Sequence, residues 1–142
     1  MIAVVGGEHP EVTERVVLQR MRNRAIEAVE LLAEGDAGVR SVGANEWVNQ
    51  FFDVIDDDTW AWRCWSVFTA AEVRLLADVH DQLYEVCRQT PQILDDDSFI
   101  AVGWPSRVAV LAQAAARALR ARGRFSEDVE ETEPGQPSRH RS

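Results

Sequence analysis

Apolar side chains recur at intervals of three and four over most of the chain, the spacing that lays them along one face of an α-helix. From Glu11 to Glu34 that face is Val12, Val16, Val17, Met21, Ile26, Val29, Leu32 and Ala33, with Arg15, Arg20, Arg22, Arg24, Glu27 and Glu30 expected largely on the wet side. Gly35, Asp36 and Gly38 supply breaker chemistry. A second helix is expected from about Ala44 to Ile55, on Trp47, Val48, Phe51, Phe52 and Ile55. The third follows Thr69-Ala-Ala-Glu72, a capping-box sequence, and carries Val73, Leu76, Val79, His80, Leu83 and Val86 to a stop at Thr90-Pro91. One helical turn is expected over Ser98 to Val102, and a last helix from Pro105 to about Arg122 buries Val108, Leu111, Ala112, Ala115 and Leu119.

This patterning predicts an all-α protein, a compact bundle of four main helices plus one or two short helical turns. Residues 1–10 read as an extended arm and 11–123 as a single helical domain. The stretch 124–142, with Glu127, Asp128, Glu130, Glu131 and Glu133, reads as an acidic, disordered tail. At 142 residues and 46% hydrophobic composition, one domain can bury roughly two thirds of the surface its unfolded chain exposes.

Charge narrows the partners. A net charge of −9 repels nucleic acid and anionic membrane alike unless the basic groups are segregated, and they are not. Every one of the 15 basic residues is arginine and alanine is abundant, which points to a GC-rich bacterial genome. The N-terminal MIAVVGG lacks the basic start of a secretory signal and no apolar run reaches membrane-spanning length, so a cytoplasmic protein is expected. Cys64 and Cys87 lie in apolar surroundings of the sequence and are expected to be reduced, buried thiols.

Two stretches echo one another: VIDDDTWAWRCW from Val54 to Trp65, and ILDDDSFIAVGW from Ile93 to Trp104. An EF-hand calcium loop needs glycine at its sixth position and glutamate at its twelfth. Counting from Asp56 these are Ala61 and Val67, and counting from Asp95 they are Ile100 and Ser106. Both copies fit better as helix junctions, in which aspartate and Thr59 or Ser98 cap the incoming helix while Trp65 and Trp104 pack behind. Aromatic anchors rimmed by charge also suit an interaction surface. The candidate docking residues are therefore Asp56, Asp57, Asp58, Trp60 and Trp62, with Asp95, Asp96 and Asp97 adjoining.

A second constellation is Glu27-Ala-Val-Glu30 with Asp53-Val-Ile-Asp56. Acidic residues three apart share a helix face, and two facing helices can bring four hard oxygen ligands around Mg²⁺. Over about 30 residues this pattern resembles the way all-α nucleotide pyrophosphohydrolases of the MazG kind gather magnesium. The resemblance implies a Mg²⁺-dependent nucleotide hydrolase using Glu27, Glu30, Asp53 and Asp56. Asp53 stands where that family uses glutamate, and no basic loop for a triphosphate is apparent. His80-Asp81 has only His9 and His140 as companions, too few for an HD-type phosphohydrolase, and His80 reads as a helix residue at the core edge.

The leading functional expectation is a small acidic interaction protein without catalytic activity or cofactor. Its partner is expected to be another protein, a basic one fitting the charge, and neutralisation of a basic toxin is one concrete version. The magnesium-dependent hydrolase is the alternative, and a homodimeric structural protein built on the aromatic stripe is the third reading.

Overall fold

Thr13 sets the start of the first long helix by accepting the Val16 N–H at 3.2 Å, and α1 runs Glu14–Ala33. The computed structural model describes residues 12–56, 61–90, 92 and 95–137. The expected N-terminal arm, Asp57, Asp58, Thr59 and Trp60 of the first aspartate junction, and the last five residues lie outside that range.

Gly35 ends α1 with a positive φ of 59°, but the chain turns at once into another helix, α2, Asp36–Val42. The sequence pattern treats Gly38 as a breaker, and the structure corrects this. A Cβ at Gly38 would lie 2.6 Å from the Leu31 carbonyl oxygen and 2.8 Å from the Trp47 indole nitrogen. Glycine is required there for close approach, not for a turn. Helix α3, Ala44–Phe52, stops short of the expected Ile55. A 3₁₀ turn follows at Ala61–Cys64.

Helix α4, Ala70–Gln89, begins with a complete capping box between Thr69 and Glu72. Asp95 caps α5, Asp96–Ala101, and Gly103, at a φ of 88°, reverses the chain into α6, Trp104–Arg122, which carries proline in its first turn. The described residues thus contain six α-helices, most of the chain, and none is long and apolar enough to cross a membrane.

Three long helices organise the packing, with α6 lying between α1 and α4. Small residues make this sandwich close: Ala25 and Ala28 of α1, and Ala112, Ala115 and Ala116 of α6, are all buried, so backbones approach without large side chains between them. The short helices α2, α3 and α5 pack together and against α1 and α6. Trp47 is their anchor, with its indole N–H on Leu31 O at 3.1 Å and its ring edge-on to Phe99 at 5.9 Å.

The segment expected to be a disordered tail is also corrected, as far as it is described. After Gly123 the chain runs back along α1, buries Phe125, and closes in a small antiparallel hairpin of β1, Glu131–Glu133, and β2, Gln136–Pro137.

Candidate functional site

The second aspartate triplet is built into the junction of the short helices. The Asp95 carboxylate accepts the Ser98 N–H at 2.8 Å and the Ser98 hydroxyl at 3.1 Å. These bonds hold its pKa below the usual range, the backbone N–H contributing most. Asp96 reaches across to α3 and accepts the Ala44 N–H at 2.9 Å, a cap that Gly43 has no side chain to provide. Asp97 pairs with Arg40 of α2 at 3.0 Å. Three adjacent carboxylates thus face three different helices, which withdraws Asp95 and Asp96 in particular from a free acidic surface.

In the first copy, Asp56 is exposed at the end of the α3 segment, but Trp62 is only 1% exposed. The expectation of Trp62 as a solvent-facing anchor is therefore corrected: the 3₁₀ turn points its ring into the core, with the Arg63 guanidinium stacked 4.1 Å over it. Cys64 and Cys87 depart from expectation in the opposite sense, since both are exposed. Cys64 shares the 3₁₀ turn with buried Trp62, and a turn that turns one side chain inward turns its neighbour out.

Beneath that turn the ring of His80, 9% exposed, lies 6.0 Å from the Trp62 ring and meets Phe52 edge-on at 5.6 Å. His80 Nδ1 stands 3.3 Å from Asp81 Oδ1, and the Asp81 side chain is 76% exposed. A carboxylate only accepts, so in this contact His80 Nδ1 is the donor. Trp62 Nε1 and His80 Nε2 are buried without a hydrogen-bond partner, the two such side-chain atoms among the described residues. Each unpaired buried group costs about 1–3 kcal/mol.

The four carboxylates of the magnesium reading are not assembled. Glu27 pairs with Arg124 at 3.1 Å and Glu30 with Arg120 at 3.4 Å. The second rung ties α1 to the arginine-rich end of α6, where cations suit the helix dipole, and the first ties it to the segment just beyond that helix. Asp53 shares a shallow groove of about 450 Å³ with Glu27, but Arg24 and Gln50 line it too. Among the described residues no three His, Cys, Asp or Glu side chains come together as a metal site requires. The residues present do not fit the cluster that the spacing suggested.

The sequence reading missed a buried polar network on α1. Gln19, Arg22 and Asn23 are fully buried, although Arg22 was assigned to the wet side. The Arg22 guanidinium forms a bidentate pair with Glu72 of α4 at 2.8 and 3.2 Å and also donates to Val67 O, Leu119 O and Gly123 O. Arg122 donates to the same Glu72 oxygen at 2.8 Å and continues to Glu133 at 3.1 Å, so cations and carboxylates alternate.

The rest of the stripe holds residues 123–131 mainly by their main chain. Asn23 accepts the Phe125 N–H and donates to its carbonyl, at 3.0 and 2.8 Å. Gln19 donates to Ser126 O and Val129 O and accepts the Glu131 N–H, while Arg15 donates to Glu131 O. The guanidinium carbons of Arg15, Arg22 and Arg122 stand 5.1 to 5.6 Å from the Phe125 ring centroid. The available sequence signal was an interruption: Gln19 and Asn23 occupy stripe positions between Val16 and Ile26.

The chain matches no protein-family model, and no curated protein or solved structure matches it significantly.

Proposed function

We propose that the protein is a non-catalytic, cytoplasmic interaction protein that docks a basic protein partner where the end of α3, the 3₁₀ turn and the middle of α4 meet. The observation that carries this reading is the exposure of Asp56 and of the Asp81 carboxylate at the edge of the aromatic cluster that Phe52, Trp62 and His80 form. In this reading the partner supplies cationic side chains to Asp56 and Asp81. Asp57, Asp58 and Trp60, outside the described residues, enter the proposal from the sequence alone, and the net charge of −9 supplies long-range attraction to a basic surface.

The test compares capture by the wild type with capture by Asp56→Asn/Asp81→Asn and by Trp62→Phe, each verified as folded by circular dichroism. The expected result is a basic protein recovered by the wild type in a salt-sensitive manner and at least roughly tenfold less by the charge variant. Equal recovery by all three proteins would overturn the proposal.

A further inference from the structure

Residues 15–23 of α1 form a slot that recognises an extended segment mainly through its backbone. Arg15, Gln19 and Asn23 bond to main-chain groups of Phe125, Ser126, Val129 and Glu131. Phe125 is the large apolar side chain inserted, beneath three guanidinium groups. The slot thus reads an aromatic residue and the main chain beside it. The occupant comes from more than one hundred residues away in sequence.

Its connection to the helical body is a single residue. Gly123 caps α6 at φ 103° and ψ −179°, a backbone region essentially reserved for glycine. A Cβ there would find its nearest neighbour, Pro134 Cβ, at 3.6 Å, which is ordinary contact. Backbone conformation rather than space is what requires glycine at this point.

We propose that this segment is exchanged between copies of the chain, residues 123–137 of one molecule filling the α1 slot of a second. Every slot bond within one chain is available in identical form between two, because both copies carry the same slot and the same segment. Gly123 is the hinge of the exchange, which releases its carbonyl from Arg22 of the same chain, and a short hinge of this kind is where such swaps begin. This inference concerns a different face from the Trp62–His80 surface and does not rest on the docking proposal.

The test uses full-length protein followed by light scattering from micromolar to near-millimolar concentration. The dimer fraction is expected to rise with concentration, and isotope-labelled and unlabelled protein should form mixed dimers in native mass spectrometry. Gly123→Ala penalises the closed hinge and should strengthen dimerisation about tenfold or more. Gly135→Ala, which strains the hairpin at its positive φ of 80° in both forms alike, should leave it unchanged. Excess synthetic peptide spanning residues 123–137 should return the dimer to monomer. Monomer at all concentrations for folded wild type and Gly123→Ala would overturn the proposal. So would a dimer indifferent to both the hinge substitution and the peptide, since that would be an ordinary face-to-face association.

Discussion

Arg22 and Glu72 meet from α1 and α4 in an ion pair closed to water on both sides, the guanidinium 0% and the carboxylate 4% exposed. Removing two charges from water costs several kcal/mol each, and mutual attraction recovers that only when the remaining donors and acceptors are also met. Here they are. Arg22 donates to three carbonyl oxygens besides the carboxylate, and Glu72 also accepts the Thr69 N–H at 2.9 Å.

Breaking the pair from one side should therefore be far worse than removing it whole. Glu72→Gln leaves Arg22 buried without its counter-charge and is expected to cost about 3–5 kcal/mol. Urea unfolding measures this, and Arg22→Met/Glu72→Leu should lose less than Glu72→Gln alone. The reverse order would show that the charges themselves contribute net stability.

Phe125 fixes the segment that follows α6. Phe125→Ala should cost about 3 kcal/mol and expose residues 123–137 to limited proteolysis while α1 and α6 remain resistant. Asn23→Ala strands the Phe125 N–H and carbonyl instead, at about 1–3 kcal/mol for each group, and should open the same sites to protease.

The two deeply buried tryptophans should respond differently to the same change. Trp47→Phe strands the Leu31 carbonyl that its indole N–H satisfies, whereas Trp62→Phe removes a donor with no partner. Trp62→Phe is thus expected to be the milder substitution by about 1–3 kcal/mol, compared by chemical denaturation.

Gly38→Ala tests close approach in isolation from conformational freedom, because Gly38 is not among the positive-φ glycines. The added methyl must displace the Trp47 indole or the end of α1, at about 1–3 kcal/mol. Near-ultraviolet circular dichroism should report the altered tryptophan environment.

Acid should weaken the fold in part through two exposed carboxylates. Glu85 has a pKa below its ordinary value because Gln89 and then Arg88 hydrogen-bond it, and Asp95 is lowered by the Ser98 N–H and hydroxyl. A pKa depressed in the folded state contributes stability that is fully present above the unfolded value and is lost as pH falls through the folded one. The melting temperature should therefore decline below the usual carboxylate range. Glu85→Gln/Asp95→Asn should flatten that decline, asparagine retaining the capping function.

Much of the helical pattern was legible because burial and the 3.6-residue period agree over α1, α4 and α6. The capping box at Thr69 and Glu72 was readable from spacing alone. Gly38 was misread because a glycine for close approach and a glycine for turning look alike in one sequence. Arg22 was misread for a related reason: an arginine among charged neighbours reads as solvated, and its partners lie 50 residues away at Glu72 and 97 at Leu119. The order of residues 123–137 was hidden because main-chain recognition leaves little imprint on the sequence recognised. At the candidate site, the proximity of Trp62 to His80 required the tertiary fold, and no spacing rule joins them.

The cap that Asp96 places on Ala44 has a consequence for the order in which the chain becomes structured. Helix α3 is nine residues long, below the length at which an isolated helix holds in water, and it borrows its cap from a residue 52 positions later. A chain growing from its amino end has made all of α3 well before that aspartate exists. The short-helix layer is therefore assembled retroactively, with α2 and α3 secured only when α5 arrives to fasten both.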